Sequence, residues 1–318
     1  MRYDPRDPDG VTEMDELELA DKFDRQRPEL RAVAYRILGS LSEAEDAVQE
    51  AWLRLRRADA EQIESLERWL TTVVARICLN VLRSRRTRSE QPLEGFLPEP
   101  IIGDPAAGTD PEHEALLADS VGIALQVVLD TLGPAERLAF VLHDMFAVPF
   151  AEIAAMVDRS PEATRQLASR ARRRVRDAAP PPDPDLARQR AVVDAYFAAA
   201  REGDLAALVA VLDPDVVLRA HQRDGDPVEL HGAERVAEGA MTARRFAPYV
   251  RAALVNGTAG VVAFDGERPF AVLAFTVIDD HAVAIDVFND PELVAKLDIA
   301  GITAGGPAIT RSDPRRRE

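Results

Sequence analysis

Proline cuts this chain into pieces. From about Ser89 to Glu112 runs QPLEGFLPEPIIGDPAAGTDPEH, and from about Asp177 to Leu186 the residues Pro180, Pro181 and Pro182 are followed closely by Pro184. Proline has no amide hydrogen and drives the residue before it out of the helical region, so neither stretch can lie inside a helix or a central strand. A chain of 318 residues divided at these two places folds as separate units. The expected order is a helical piece over 15–88, a linker over 89–112, a second helical piece over 113–176 and a hinge over 177–187. A third piece over 188–300 begins with helical patterns and ends with strand-like runs, and residues 301–318 form a tail expected to be disordered. At 47% apolar content each piece can hold a core. The single cysteine, Cys78, excludes an intrachain disulfide and a cysteine-rich metal site, and no cofactor or metal is expected. The acidic N-terminus and the absence of a bilayer-length apolar run point to a soluble, cytoplasmic protein without a membrane partner.

The second helical piece carries the sharpest motif. Residues 149–175, PFAEIAAMVDRSPEATRQLASRARRRV, read as a helix, a tight turn and a second helix. Phe150, Ile153, Ala154 and Val157 recur at helical spacing and define one buried face. Asp158 marks the turn, because aspartate tolerates the left-handed backbone better than most side chains. Ser160 then supplies an N-cap and Pro161 a first-turn proline, with Thr164 and Leu167 on the inner side. What remains outside is Ser160, Glu162, Arg165, Gln166, Ser169, Arg170 and Arg173. These types hydrogen-bond base edges or phosphates when such a helix lies in a major groove. The alternative is a helical hairpin whose arginines merely face solvent.

A net charge of −16 does not exclude nucleic acid. Screening beyond roughly 8 Å makes the local cluster decisive. Arg165, Arg170, Arg172, Arg173, Arg174 and Arg176 occur with no intervening acid, and Arg83, Arg85, Arg86 and Arg88 form an upstream group.

In the first piece Gly39 is placed to end one helix, and Ser42 with Glu45 to start the next as a capping box. That helix has an apolar stripe of Ala44, Val48, Trp52 and Leu55, and a second face of Asp46, Gln49, Glu50 and Leu53 on which a leucine sits among polar groups. This second face suits a protein partner or plain solvation. In the following segment, ESLERWLTTVVARICLNVLRSRRTR, a broad apolar face leaves Arg68, Thr72, Arg76, Asn80 and Arg83 as a polar stripe able to follow a nucleic-acid strand.

The order RAVAYRILGSLSEAEDAVQEAWLRL, RWLTTVVARICLNVLRSRR, linker, LGPAERLAFVLHDMFAVPFAEIAAMVDRSPEATRQLASRARRRV resembles the extracytoplasmic-function group of sigma-70 family initiation factors over residues 20–176. The resemblance implies that the first module binds the clamp helices of the largest subunit of core RNA polymerase and melts the minus-10 element, while the second reads the minus-35 element of promoter DNA. By that resemblance Asp46, Gln49, Glu50 and Leu53 are the polymerase-binding residues, and Arg76, Asn80 and Arg83 fall in the promoter-melting helix; Arg68 of the same stripe and Arg85 of the arginine group join them as DNA-binding candidates. Extended at ~3.1 Å per residue, two dozen linker residues span on the order of 70 Å, enough for promoter elements on the order of 50 Å apart.

Phe96, Leu97, Pro98, Glu99 and Pro100 are similar to a tryptophan-leucine-proline-glutamate-proline signature of the sigma J type subgroup, with phenylalanine in place of tryptophan. The third piece resembles the SnoaL-like, nuclear transport factor 2-like cone. The fold class expected is therefore multidomain: two all-α helical domains, the second a helix-turn-helix, followed by an α+β cone with a curved antiparallel sheet. The subgroup implies a built-in regulator, with Asp224 and Gly225 partly matching its glycine-rich loop and Asn289 to Leu293 partly matching a second motif. A small ligand in the cone is a further partner such a fold admits. His221, Asp224, His231 and Asp286 are the acid–base candidates for a cone-borne isomerase or hydrolase. Asp286 could face the cone interior, although a satisfied structural carboxylate is the plainer reading. A non-enzymatic sigma factor controlled in cis is the reading preferred; a one-component ligand-sensing helix-turn-helix regulator and a cone enzyme are the alternatives.

Overall fold

The computed structural model describes residues 8–58, 63–88, 98–105, 122–178, 182–221, 228–299 and 302. Phe96, Leu97, Asp224 and Gly225 lie outside the described residues, as do 303–318. Contacts divide the chain into two compact units.

The first unit opens with α1 (Pro8–Leu38), α2 (Leu41–Leu55) and α3 (Leu66–Arg88). Gly39 sits at φ 75° and its amide donates to the Tyr35 carbonyl at 2.7 Å, which ends α1. The cap of α2 is Ser40, not the expected Ser42: its side chain accepts from the Glu43 amide at 3.3 Å. Ser40 has the extended backbone an N-cap needs, at φ −127° and ψ 130°, immediately after the left-handed glycine. Glu45 is engaged instead by Arg27 and Arg31 of α1. Tyr35, Leu38, Val48, Leu55, Leu70, Val74 and Cys78 are essentially inaccessible, and Phe23 packs against Trp52 with ring centroids 5.0 Å apart. Each such side chain stabilises the bundle by roughly 1.5–3 kcal/mol, so packing rather than helix propensity holds the three helices.

α4 (Gly122–Asp130) belongs up to Val128 to the second unit, and the first unit continues with α5 (Pro134–Phe140), a π-helical turn (Val141–Met145), α6 (Phe150–Val157) and α7 (Pro161–Ala178). Asp158 adopts φ 55° and ψ 50°, the left-handed turn expected of it. Ser160 caps α7, accepting from the Ala163 amide at 3.2 Å. Ile153, Ala154, Val157, Thr164, Ala168 and Ala171 form the buried seam.

The second unit holds α8 (Leu186–Glu202), α9 (Leu205–Ala210), β2 (Leu212–His221), β3 (Val228–His231) and α10 (Ala233–Ala243). A 3-10 turn, Arg244–Tyr249, leads to β4 (Val250–Val255), β5 (Thr258–Asp265), β6 (Arg268–Ile278), β7 (His281–Phe288) and α11 (Pro291–Lys296). These strands and β1 (Ile102–Gly103) make a seven-stranded sheet in the order β1-β4-β5-β6-β7-β2-β3. Pairing is antiparallel except between β2 and β7, which run parallel. One face of the sheet packs with α8, α9 and α10 through Val193, Phe197, Leu208, Val236, Phe275 and Ile285. The other face, with Val262, Phe264, Val272 and Phe288, is covered by Ile102, Ile123, Ile302 and the α11 residues Leu293 and Val294 with Leu297 close behind.

Besides the cap at Ser40, two findings differ from the sequence reading. The linker is not a bare spacer, because its residues 102–103 form the edge strand β1. The tail does not begin at 301 in structural terms, since Ile302 is packed on the sheet at 8% exposure.

Candidate nucleic-acid interface

On α7 the outward set is Glu162, Arg165, Gln166, Ser169, Arg170 and Arg173, all exposed. The other arginines of the run turn back onto their own module: Arg172 pairs with Asp144, and Arg174 with Glu136 at 3.2 Å. Among the described residues Arg170 and Arg173 carry no ion pair. The arginine run therefore divides by helical phase into groups that hold the module together and groups that project outward.

The stripe on α3 is present as expected, with Arg68, Arg76, Asn80 and Arg83 exposed and the Thr72 hydroxyl turned back to the Arg68 carbonyl at 2.8 Å. Two of its cations meet the helix-turn-helix. Arg68 forms a two-pronged pair with Glu152 of α6, its Nε donating to Oε2 at 3.2 Å, and Arg76 donates to the Ala155 carbonyl at 3.1 Å. The Glu152 hydrogen bond and charge raise the Arg68 pKa above its usual value. Arg85 serves the fold instead: it donates to the Leu38 carbonyl at 3.0 Å and pairs with Glu43, tying α3 to the α1–α2 turn. Cys78, fully buried on the opposite side of α3, has its thiol pushed up to about 12 by burial, which makes it a packing residue and not a reactive one.

On α2, Asp46, Gln49 and Leu53 are exposed and Glu50 is half-buried, pairing with Arg54 at 2.9 Å. Leu53 is 36% exposed, one of few large apolar side chains so placed. Beside it Gln49 and Trp52 of α2 and Phe23, Asp24 and Arg27 of α1 line a groove of about 460 Å³.

In the second unit Ile102, just past the linker motif, and Leu293 of the C-terminal motif share one apolar cluster. Pro98 and Pro100 are buried, and Ile102 pairs with Val255 and Gly103 with Leu254 in the β1–β4 ladder. Asn256, at φ 48° in the Asn256-Gly257 hairpin between β4 and β5, grips the linker twice: its Oδ1 accepts from the Ile101 amide and its own amide donates to the Ile101 carbonyl, both at 2.8 Å. In the segment Asn289 to Leu293, Asp290 caps α11 by accepting from the Leu293 amide at 2.7 Å, which sets Leu293 against the cluster that contains Ile102.

Among the described residues the acid–base candidates fall into a buried pair, His221 with Asp286, and an exposed His231. Asp286 is fully buried, but Ile285 and Val287 take the side facing α8–α10, so Asp286 lies on the other face with Ala274 and Phe288. There it bonds His221 at 2.9 Å and approaches Arg219 at 3.6 Å, with the His221 ring stacked on Phe288. His231 is exposed and pairs with Glu229. On the helix-covered face Tyr196, Phe197 and Phe275 pack edge to face, with centroids 5.2 to 6.0 Å apart. Among the described residues no cluster of His, Cys, Asp and Glu suits a metal ion, and no helix is long and apolar enough to cross a membrane.

Two residues escape sequence reasoning. Phe150 reads as core yet lies half-buried beneath an arginine of α7, and Asn256, which no motif singles out, holds the linker. The Asn-Gly pair was the available signal for the second.

These features define a class: a three-helix module with an exposed mixed face, a helix-turn-helix with a projecting arginine face, and an α+β domain built on a mixed seven-stranded sheet. Family models agree, with Sigma-70 region 2 matching residues 23–88 and Sigma-70, region 4 matching residues 123–175. The chain is 40% identical over 286 residues to the ECF RNA polymerase sigma factor SigJ of Mycobacterium tuberculosis, covering 84% of this chain and 91% of that protein. It is 35% identical over 269 residues to the probable ECF RNA polymerase sigma factor SigI of the same species, covering 83% and 91%. The crystal structure of the M. tuberculosis SigJ superposes with a TM-score of 0.72 at 36% identity, covering 88% of this chain and 99% of that one. The chain belongs to the extracytoplasmic-function RNA polymerase sigma factors. It is accordingly a non-enzymatic factor that binds core RNA polymerase and promoter DNA and directs transcription initiation.

Proposed function

We propose that this sigma factor is controlled in cis by its C-terminal domain, which takes the linker as an extra strand and so restricts how far the two DNA-binding modules can separate. The observation that carries the reading is the double hydrogen bond between Asn256 and Ile101 beside the β1–β4 pairing. Promoter elements on the order of 50 Å apart need most of the linker's reach. A linker held at 98–104 has less to give. In this reading the face of Asp46, Gln49, Glu50 and Leu53 engages the polymerase clamp, Arg68, Arg76, Asn80 and Arg83 engage the melted minus-10 strand, and Arg165, Gln166, Ser169, Arg170 and Arg173 engage the minus-35 element. The aromatic filling of the cone face by Tyr196, Phe197 and Phe275 supports a mechanical role for the domain over a ligand-sensing one.

The test is transcription from a responsive promoter by purified core polymerase with the full chain, a chain lacking 289–318, and a chain ending at Arg176. Loss of α11 uncovers Ile102 and is expected to change output, and loss of the whole domain to change it differently. Equal output from all three would remove cis control while leaving the sigma activity standing.

A further inference from the structure

The guanidinium of Arg165 is held from two sides before any DNA arrives. Its carbon lies 5.8 Å from the centroid of the Phe150 ring, and Glu162, one turn earlier on α7, approaches at 3.5 Å. The Phe150 ring is itself supported. His143 lies against it with centroids 3.7 Å apart and planes inclined by 30°, and the His143 Nδ1–H donates to the Val148 carbonyl at 3.0 Å. That carbonyl is presented by an unusual stretch of chain. The π-helical turn Val141–Met145 and Ala147, at a left-handed φ of 54°, swing the backbone so that the Val148 amide also closes onto the Leu142 carbonyl at 2.9 Å. A continuous set of contacts thus runs from the turn through His143 and Phe150 to Arg165 of α7.

We propose that Phe150 and His143 are positioning residues that aim Arg165, and thereby set base preference in the minus-35 element. This rests on reading α7 as the groove-facing helix. Residues in the first turns of such a helix meet base edges, and arginine reads guanine through a two-pronged bond whose strength depends on orientation. An arginine left free loses much rotamer freedom on binding, whereas one already resting on an aromatic face loses less. Glu162 opposes the charge of Arg165, which weakens indiscriminate phosphate contact and leaves the oriented contact as the favourable one. These contacts are expected to act on discrimination rather than on overall affinity.

The experiment uses the full chain with core polymerase on promoter templates randomised across the upstream element, with transcripts counted by sequencing. Arg165→Ala identifies the base position that Arg165 reads. Phe150→Leu, which keeps apolar bulk and removes the ring, is expected to reduce preference at that same position about two- to fivefold, the range a cation–π contact at an exposed site supports. Phe150→Tyr keeps the ring and should retain the wild-type profile, and Phe150→Leu should add nothing in an Arg165→Ala background. His143→Gln reads the same quantity without altering Phe150, and gives the answer if Phe150→Leu unfolds the module. The proposal is overturned if Phe150→Leu and His143→Gln leave the profile unchanged, lower all templates equally, or shift positions that Arg165→Ala does not touch. Wild-type chain that starts no template-selective transcription would instead overturn the reading of α7.

Discussion

Replacing Asn256 by glycine should release the linker without breaking the hairpin that grips it. Glycine accepts the φ of 48° at this position, so the turn between β4 and β5 survives while the side-chain carboxamide, with its acceptor for the Ile101 amide, is lost. That acceptor serves the Ile101 amide in a dry site: Asn256 is 1% exposed and Ile101 2%. A buried amide left without a partner costs about 1–3 kcal/mol, which corresponds to roughly a five- to 150-fold increase in undocking of β1. Asn256→Ala adds left-handed strain of about 1–2 kcal/mol in the hairpin itself, so it should loosen β4 and β5 as well. Amide hydrogen exchange separates the two variants. In Asn256→Gly the Ile101 and Ile102 amides should exchange faster while those of β5 and β6 keep their protection; in Asn256→Ala both groups should speed up. Unchanged exchange at Ile101 in the glycine variant would refute the clamp, and a uniform loss across the sheet would show that Asn256 serves the fold alone.

Glu152→Gln removes the carboxylate paired with Arg68, so the free chain should bind a minus-10 single strand more tightly by less than about fivefold, as befits an exposed ion pair; fluorescence anisotropy showing weaker binding would contradict this. The buried Cys78 thiol, raised to about 12 from 9.0, keeps its proton while the unfolded chain loses it. Stability is therefore full below pH 9 and falls as pH rises from about 9 to 12, by up to about 1.4 kcal/mol per pH unit, relative to Cys78→Ala. Urea unfolding followed by tryptophan fluorescence reads this module alone, because the only two tryptophans are Trp52 and Trp69. Ala147→Gly relieves a left-handed alanine at an exposed position and should stabilise the helix-turn-helix by up to about 1 kcal/mol, read as slower amide exchange in α5 and α6; faster exchange there would count against the strain.

The helices were legible because their apolar periodicity is local: Thr164 and the α2 face around Val48 are buried where spacing put them, and Asp158 turns left-handed as its side chain allows. Local chemistry misled once, at Ser42, since a capping-box pattern cannot reveal that Gly39 hands the extended position to Ser40. Arg83 and Arg85 look alike in sequence, yet a rotation of 200° around α3 sends one to solvent and the other to the Leu38 carbonyl. The outer-face placement of Asp286 follows from strand alternation once Ile285 is known to face the helices, and that fact is tertiary. Least legible was β1, a two-residue strand whose partner lies far along the chain and whose own residues carry no alternation to read.

That distance has a consequence in time. Ile101 and Asn256 are separated by 155 residues, so the grip cannot form until the ribosome has passed both helical modules and strands β2 to β4. At about 5–20 residues per second the interval lasts on the order of ten to thirty seconds, and the entropy of closing so long a loop delays it further. Every new copy thus passes through a stage at which its DNA-binding modules are already made and its linker is still at liberty. Under the cis control proposed above, the pool of unrestrained factor would track the rate of synthesis more closely than the amount accumulated, and a burst of translation would itself raise transcription.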